Sequence, residues 1–133
     1  MHTSRHPGLA GLPVLIVEDD PPSSRLLSVV LNTEGCDTRS ASTAEGALAV
    51  LQEFTPRAIV LDLVLPQMSG LLLAQRLKAE AATRDIVIIA VSAFNGPEAV
   101  RVALAVGCAA YVRKPIDAIA FPQLLLSHLG DTP

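Results

Sequence analysis

Ala58-Ile59-Val60-Leu61-Asp62-Leu63-Val64-Leu65-Pro66 is the stretch on which the fold turns. Residues 58–61 are four apolar residues in a row, two of them β-branched, with no polar alternation. That pattern reads as a strand buried on both faces. The run ends in one carboxylate, Asp62, with three more apolar residues behind it. A carboxylate in such company is costly unless a charged or hydrogen-bonding group answers it. A central parallel strand also needs neighbours reached by helical crossovers.

Those neighbours lie on either side in the chain. Apolar runs of the same kind occupy 14–17, 86–91 and 109–112, and a more polar, alternating run at 36–40 suits a sheet edge. Helical spacing fills the gaps. Residues 23–31 carry Leu26, Leu27, Val30 and Leu31; 43–53 carry Ala44, Ala47, Leu48 and Leu51; 71–81 carry Leu72, Leu73 and Leu77. Residues 97–106 and 122–129 complete the set. Gly35 and Gly107 stand where the first and fourth helices end, and Asp20 before Pro21-Pro22 has the form of a helix N-cap. Strand then helix, five times, predicts an α/β domain: a doubly wound, five-stranded parallel sheet with helices on both faces.

Composition bounds what such a domain does. The chain has 133 residues, 50% hydrophobic and 17% charged, enough for one domain with a core of its own. A net charge of −3 offers no basic face for a phosphate backbone, and 3% aromatic residues leave few stacking platforms, so direct DNA binding is not expected. A mean hydropathy of +0.46 excludes a disordered chain. Cys36 and Cys108 belong to no CxxC or Cys/His cluster and read as small buried hydrophobes. No apolar stretch is long enough to span a membrane, and the start of the chain lacks a cleavage site, which points to a soluble, cytoplasmic protein. Residues 1–12 read as a flexible N-terminal arm and 13–130 as the domain. His2, His6 and His128 read as surface residues.

Ligands of doubly wound sheets bind at the carboxyl ends of the strands. There the sequence sets Glu18-Asp19-Asp20 after the first run, Asp62 after the third, Ser92 after the fourth and Lys114-Pro115 after the fifth. Carboxylates crowded together stay ionised when a cation neutralises them, and oxygen-only ligands select a hard ion, Mg²⁺ over Zn²⁺. A carboxylate beside Mg²⁺ and a lysine can act as a nucleophile toward phosphorus and form an acyl phosphate. Ser92 can donate a hydrogen bond to a phosphoryl oxygen.

In these residues the chain resembles the receiver domain of two-component response regulators, over residues 13 to about 129. The motifs are VLIVEDD (14–20), LDLVLPQMSG (61–70), AVSAF (90–94) and AAYVRKP (109–115). The resemblance implies a flavodoxin-like sheet of strand order 2-1-3-4-5 and a cis Lys114-Pro115 bond. It makes Asp62 the phosphoacceptor. Glu18, Asp19, Asp62 and the backbone carbonyl of Val64 become the Mg²⁺ ligands. Ser92 and Lys114 bind the phosphoryl group, Ser92 and Tyr111 act as the switch pair, and Ala93 is the small residue that leaves the donor access. The implied partners are a histidine kinase or histidine phosphotransfer protein on the input side. On the output side stands an output protein, or a second copy, on the face of the fourth helix, fifth strand and fifth helix. With the last helix ending near Leu129, a stand-alone switch with no output domain is expected, one that promotes only its own phosphotransfer and dephosphorylation rather than acting as an enzyme on other substrates. Strand order 2-1-3-4-5 also separates Cys36 from Cys108 by four strand spacings, roughly 19 Å, too far for a disulfide.

The chain departs from its relatives in two places. It has Glu18-Asp19 where many have two aspartates, and its fourth helix is unusually apolar, so Val100, Val102 and Val106 cannot all face the core. An exposed apolar patch of that kind marks a partner surface. Three other functions compete. A receiver that never accepts phosphate would act only as an interaction module. An aspartyl-phosphatase of haloacid-dehalogenase type needs a second acid two residues after its nucleophile, where this chain has Val64. A flavodoxin needs a hydroxyl- and glycine-rich phosphate loop where this chain is acidic.

Overall fold

Side chains alternate across a β-strand, so a strand apolar at every position must have cover on both faces. The computed structural model, which describes residues 6–66, 68–93 and 96–129, supplies that cover. Strands β1 (Pro13–Val17), β2 (Asp37–Ala41), β3 (Ala58–Asp62), β4 (Val87–Ser92) and β5 (Ala110–Arg113) form one parallel sheet in the order β2-β1-β3-β4-β5. Helices α1 (Pro21–Thr33), α2 (Ala44–Val50), α3 (Gly70–Ala79) and α4 (Pro97–Ala105) make the crossovers, and α5 (Ala120–His128) follows the last strand. The strand order and parallel sense are those expected from sequence, and no helix is long and apolar enough to cross a membrane among the described residues.

Each face of the sheet has its own core. Leu15, Val17, Ile59, Leu61, Ile88 and Ala90 point toward α2, α3 and α4, where Ala47, Leu73, Leu77 and Ala103 meet them. The intervening residues Val14, Ile16, Val60, Ile89 and Val91 point toward α1 and α5 and pack on Leu27, Leu31, Phe121 and Leu125. Burying a side chain of this size is worth roughly 1.5–3 kcal/mol, so this alternation fixes the register of β1, β3 and β4. β2 is the polar edge. Cys36 and Cys108 precede the two opposite edge strands and are free and buried, and burial pushes both thiols up to about 11.

Local chemistry sets the boundaries. Asp20 caps α1 by accepting the Ser23 N–H at 3.2 Å and the Ser23 hydroxyl at 2.6 Å. Thr43 and Ser69 cap α2 and α3 in the same way. Asp117 accepts from the N–H groups of Ile119 and Ala120, which lets α5 begin before the expected Pro122. α2 ends at Val50 rather than residue 53, because the last positions form a separate turn with the Phe54 N–H on the Val50 carbonyl.

Two expectations need correction. The described part of the supposed arm is packed: Leu9 is 0% exposed, and it and Leu12 fill the space between α1 and α5. A short 3₁₀ turn, Pro7–Leu9, carries Leu9 inward, and the Gly11 N–H holds the Gly35 carbonyl at 2.7 Å. His6 is not a simple surface residue either. Its backbone N–H and its Nδ1 both lie 3.2 Å from Glu34 Oε1, in a largely buried pair. His128 is half-buried at the end of α5, and His2 lies outside the described residues. α4 bears out the expectation for its valines in a milder form. Val100, Val102 and Val106 are each half-buried, and the most exposed large apolar residue of the helix is Leu104, at 47%.

Candidate functional site

The register that buries the sheet also assembles its rim. Val17 pairs with Leu61, so one step further on Glu18 and Asp62 leave adjacent strands side by side. Ser92 pairs with Arg113, and the Lys114 N–H donates to the Ser92 carbonyl at 2.8 Å, which draws Lys114 over the same strand ends. The Lys114-Pro115 bond is cis. The ammonium of Lys114 lies 3.0 Å from Asp62 Oδ2 and 2.6 Å from Glu18 Oε1. The other Asp62 oxygen, Oδ1, accepts the backbone N–H of Val64 at 2.9 Å. Glu18 Oε2 accepts the N–H of Asp20 at 3.1 Å. The Asp62 carboxylate is therefore held from two sides, within a cleft of about 290 Å³ lined by Asp19, Asp20, Asp62, Val64, Ala93 and Lys114.

The loop after β3 keeps this shape because of Gly70. Its N–H donates to the Leu63 carbonyl, and a Cβ there would stand 2.2 Å from the backbone oxygen of Asp62 and 2.6 Å from Leu63 Cα. The glycine stood in the LDLVLPQMSG motif, but sequence alone gave it no task. Nor did it give one to Ser23, Leu26 and Ile116, which line a small cavity of about 50 Å³ behind Glu18 and Lys114. Gln67 and Phe94 of the same motifs lie outside the described residues.

The electrostatics follow from burial. Burial first, then the hydrogen bond and charge of Asp62, raise Glu18 to about 7, against the opposing pull of Lys114 and the Asp20 N–H. Burial works to lower Lys114, but the Glu18 and Asp62 carboxylates reverse this and raise it. Asp20 sits below the usual carboxylate range because of its two bonds from Ser23. Glu18 Oε1 is buried and has a charge partner in Lys114 but no aligned hydrogen-bond donor. Oxygens of Glu18, Asp19 and Asp62 all lie within 4.8 Å of one another. Two buried carboxylates and the exposed Asp19, clustered at this range with an unsatisfied oxygen on Glu18, suit a hard divalent cation.

The sequence-predicted residues thus converge: Asp19, Asp62, Val64, Ala93 and Lys114 line one cleft, and Glu18 lies beside Asp62 and Lys114. Ser92 is fully buried at the end of β4, one residue before Ala93. Tyr111 on β5 is half-buried, two pairing steps before Ser92, and packs on the core that contains α3 and α4.

Comparison with known proteins agrees with this geometry. A family model described as "Response regulator receiver domain" matches residues 14–125. The polar-differentiation response regulator DivK of Brucella ovis is 35% identical over 121 residues, covering 89% of this chain and 96% of its own. Among solved structures, a response regulator described as putative from Chloroflexus aurantiacus superposes with a TM-score of 0.85 at 26% identity, covering 90% of this chain and 98% of its own. The receiver domain of sensor histidine kinase PA1611 from Pseudomonas aeruginosa, which has a magnesium ion coordinated in its active site cleft, gives 0.82 at 24% identity, covering 92% and 100%.

Proposed function

Because the chain belongs to the family of response regulator receiver domains, signalling switches of two-component systems, we propose that it takes a phosphoryl group on Asp62 from a phosphohistidine. The observation that carries this is the two-sided grip on Asp62, by Lys114 Nζ at Oδ2 and the Val64 N–H at Oδ1, in an open cleft. An Asp62 oxygen attacks the phosphorus. The phosphorus–nitrogen bond breaks as the new phosphorus–oxygen bond forms, and the histidine ring leaves with the electron pair and takes up a proton. Lys114 then moves from a free carboxylate to a phosphoryl oxygen, where it neutralises the charge that was carried in. Ser92, next to Ala93 at the end of β4, donates to another phosphoryl oxygen. Ala93 leaves the approach open.

The carboxylates of Glu18, Asp19 and Asp62, with the Val64 carbonyl, would hold Mg²⁺. Bound there, the ion offsets the negative charge shared by Asp62 and the incoming phosphoryl group. The donor is a histidine kinase or histidine phosphotransfer protein. The face of α4, β5 and α5 passes the signal on by protein contact, with Ser92 and Tyr111 linking it to the site.

Incubation with Mg²⁺ and acetyl phosphate, read by intact mass, tests the reading. The native chain is expected to gain one phosphoryl group, and Asp62→Asn and a Mg²⁺-free control none. Lys114→Ala is expected to uncouple labelling from any change on the α4 face. Full labelling of Asp62→Asn would remove Asp62 from the role.

A further inference from the structure

Asp20 belongs to two structures at once. It caps α1, and it lines the cleft together with Asp19, Asp62, Val64, Ala93 and Lys114. The cap occupies one carboxylate oxygen. Both bonds from Ser23, the N–H at 3.2 Å and the hydroxyl at 2.6 Å, end on Oδ2. Oδ1 accepts from no described residue, and Asp20 is exposed. The positive end of a helix favours an ionised carboxylate at this place. Asp20 is therefore a negative charge on the cleft wall, held there by the first turn of α1.

Charge balance gives that position its weight. Oxygens of Glu18, Asp19 and Asp62 lie within 4.8 Å of one another, and Lys114 reaches Glu18 and Asp62. Three negative charges thus meet one positive charge, and a divalent cation held by the three acids leaves the group neutral. Among the described residues that line the cleft, Asp20 is then the charge left over. Its backbone N–H donates to Glu18 Oε2 at 3.1 Å. The cap therefore also fixes where that charge stands relative to Glu18.

We propose that Asp20 is a specificity-determining residue of the phosphoryl transfer, which slows small anionic donors by repulsion in proportion to their charge. This rests on the reading of Asp62 as the phosphoacceptor. The step is the same for each donor: an Asp62 oxygen attacks phosphorus. Acetyl phosphate loses acetate, which leaves with the electron pair of the phosphorus–oxygen bond. Phosphoramidate loses ammonia, whose nitrogen already carries its third proton and keeps the pair of the phosphorus–nitrogen bond. At pH 7 the first donor brings two negative charges and the second a net single one. A unit charge acting through water over about 10 Å lowers the local concentration of a monoanion about twofold, and of a dianion by the square of that, about fourfold.

Asp20→Asn in the full chain keeps a capping side chain and removes the charge. At saturating Mg²⁺, pH 7 and low salt, the initial rate of Asp62 labelling, read by intact mass, is expected to rise about fourfold with acetyl phosphate and about twofold with phosphoramidate. Both gains are expected to shrink toward the native rates in about 0.5 M salt. Trifluoroberyllate, a phosphoryl mimic with a single negative charge, is expected to bind about twofold more tightly by fluorine NMR. Ser23→Ala keeps the charge and weakens the cap, so it is expected to lower the urea midpoint and leave the donor preference native. Equal acceleration with the two donors, a gain that survives salt, slower labelling by both, or a Ser23→Ala variant that shifts the preference as far as Asp20→Asn overturns the proposal. If the native chain takes label and Asp20→Asn leaves the ratio of the two rates unchanged, selection by charge fails while the phosphoacceptor reading stands. If the native chain takes no label from either donor, the phosphoacceptor reading fails, and selection by charge falls with it.

Discussion

Glu18 holds a buried carboxyl for which a bound metal would compete with the proton. Its folded value, about 7, lies above its ordinary value of 4.5, so folding favours the protonated form. For an acid raised in this way the sign is fixed: the metal-free protein is expected to lose stability as pH rises from about 4.5 to 7. A cation needs the ionised form, so Mg²⁺ binding is expected to weaken as pH falls below about 7, approaching tenfold per unit. Calorimetric titration with Mg²⁺ at pH 6 and pH 8 measures this, and Glu18→Gln is expected to flatten the dependence. Gly70 yields the second prediction at this scale. An added Cβ meets backbone, not a movable side-chain end, so Gly70→Ala is expected to cost about 1–3 kcal/mol in urea unfolding and to slow labelling of Asp62. The carboxylates, Ser92 and Lys114 could be found from sequence because strand ends converge in any doubly wound sheet. Gly70 could not, since its task depends on how closely the loop approaches the Asp62 backbone.

At the scale of elements, the helices and strands follow hydrophobic period, and their errors follow local caps. Asp117 lengthens α5 at its start and a turn shortens α2 at its end, because a few hydrogen bonds at a terminus outweigh the weak propensities there. The segment at 6–12 has no period to read. Its Leu9 nevertheless lies at 0% exposure between α1 and α5. Leu9→Ala is therefore expected to cost about 2–5 kcal/mol, seen as a lower urea midpoint with an unchanged slope. A loose arm would make the same substitution nearly silent.

For the whole molecule, the two-sided sheet separates one face of α1 and α5 from another of α2, α3 and α4, with the acidic cleft at the seam where β1 and β3 end. Leu104, one turn on from the half-buried Val100, leaves an apolar surface on α4, and leaving such groups wet forgoes roughly 1.5–3 kcal/mol for each full side chain. If a second copy covers this face, Val100→Glu is expected to weaken self-association of the trifluoroberyllate-loaded chain at least tenfold in sedimentation, with Asp62 labelling intact. Equal sedimentation of the two proteins would take the face out of any dimer.

The sequence by itself determined the class of fold and the chemistry of the rim. Apolar runs buried on both faces admit only a parallel sheet with helical cover, and the residue after each run then has one place to go. Tertiary structure alone decided what depends on distance across the chain: the His6–Glu34 pair, 28 positions apart, the packing of Leu9 and the clearance behind Gly70. Such contacts join residues with no shared period or motif, and their energy exists only once the layers have closed on each other.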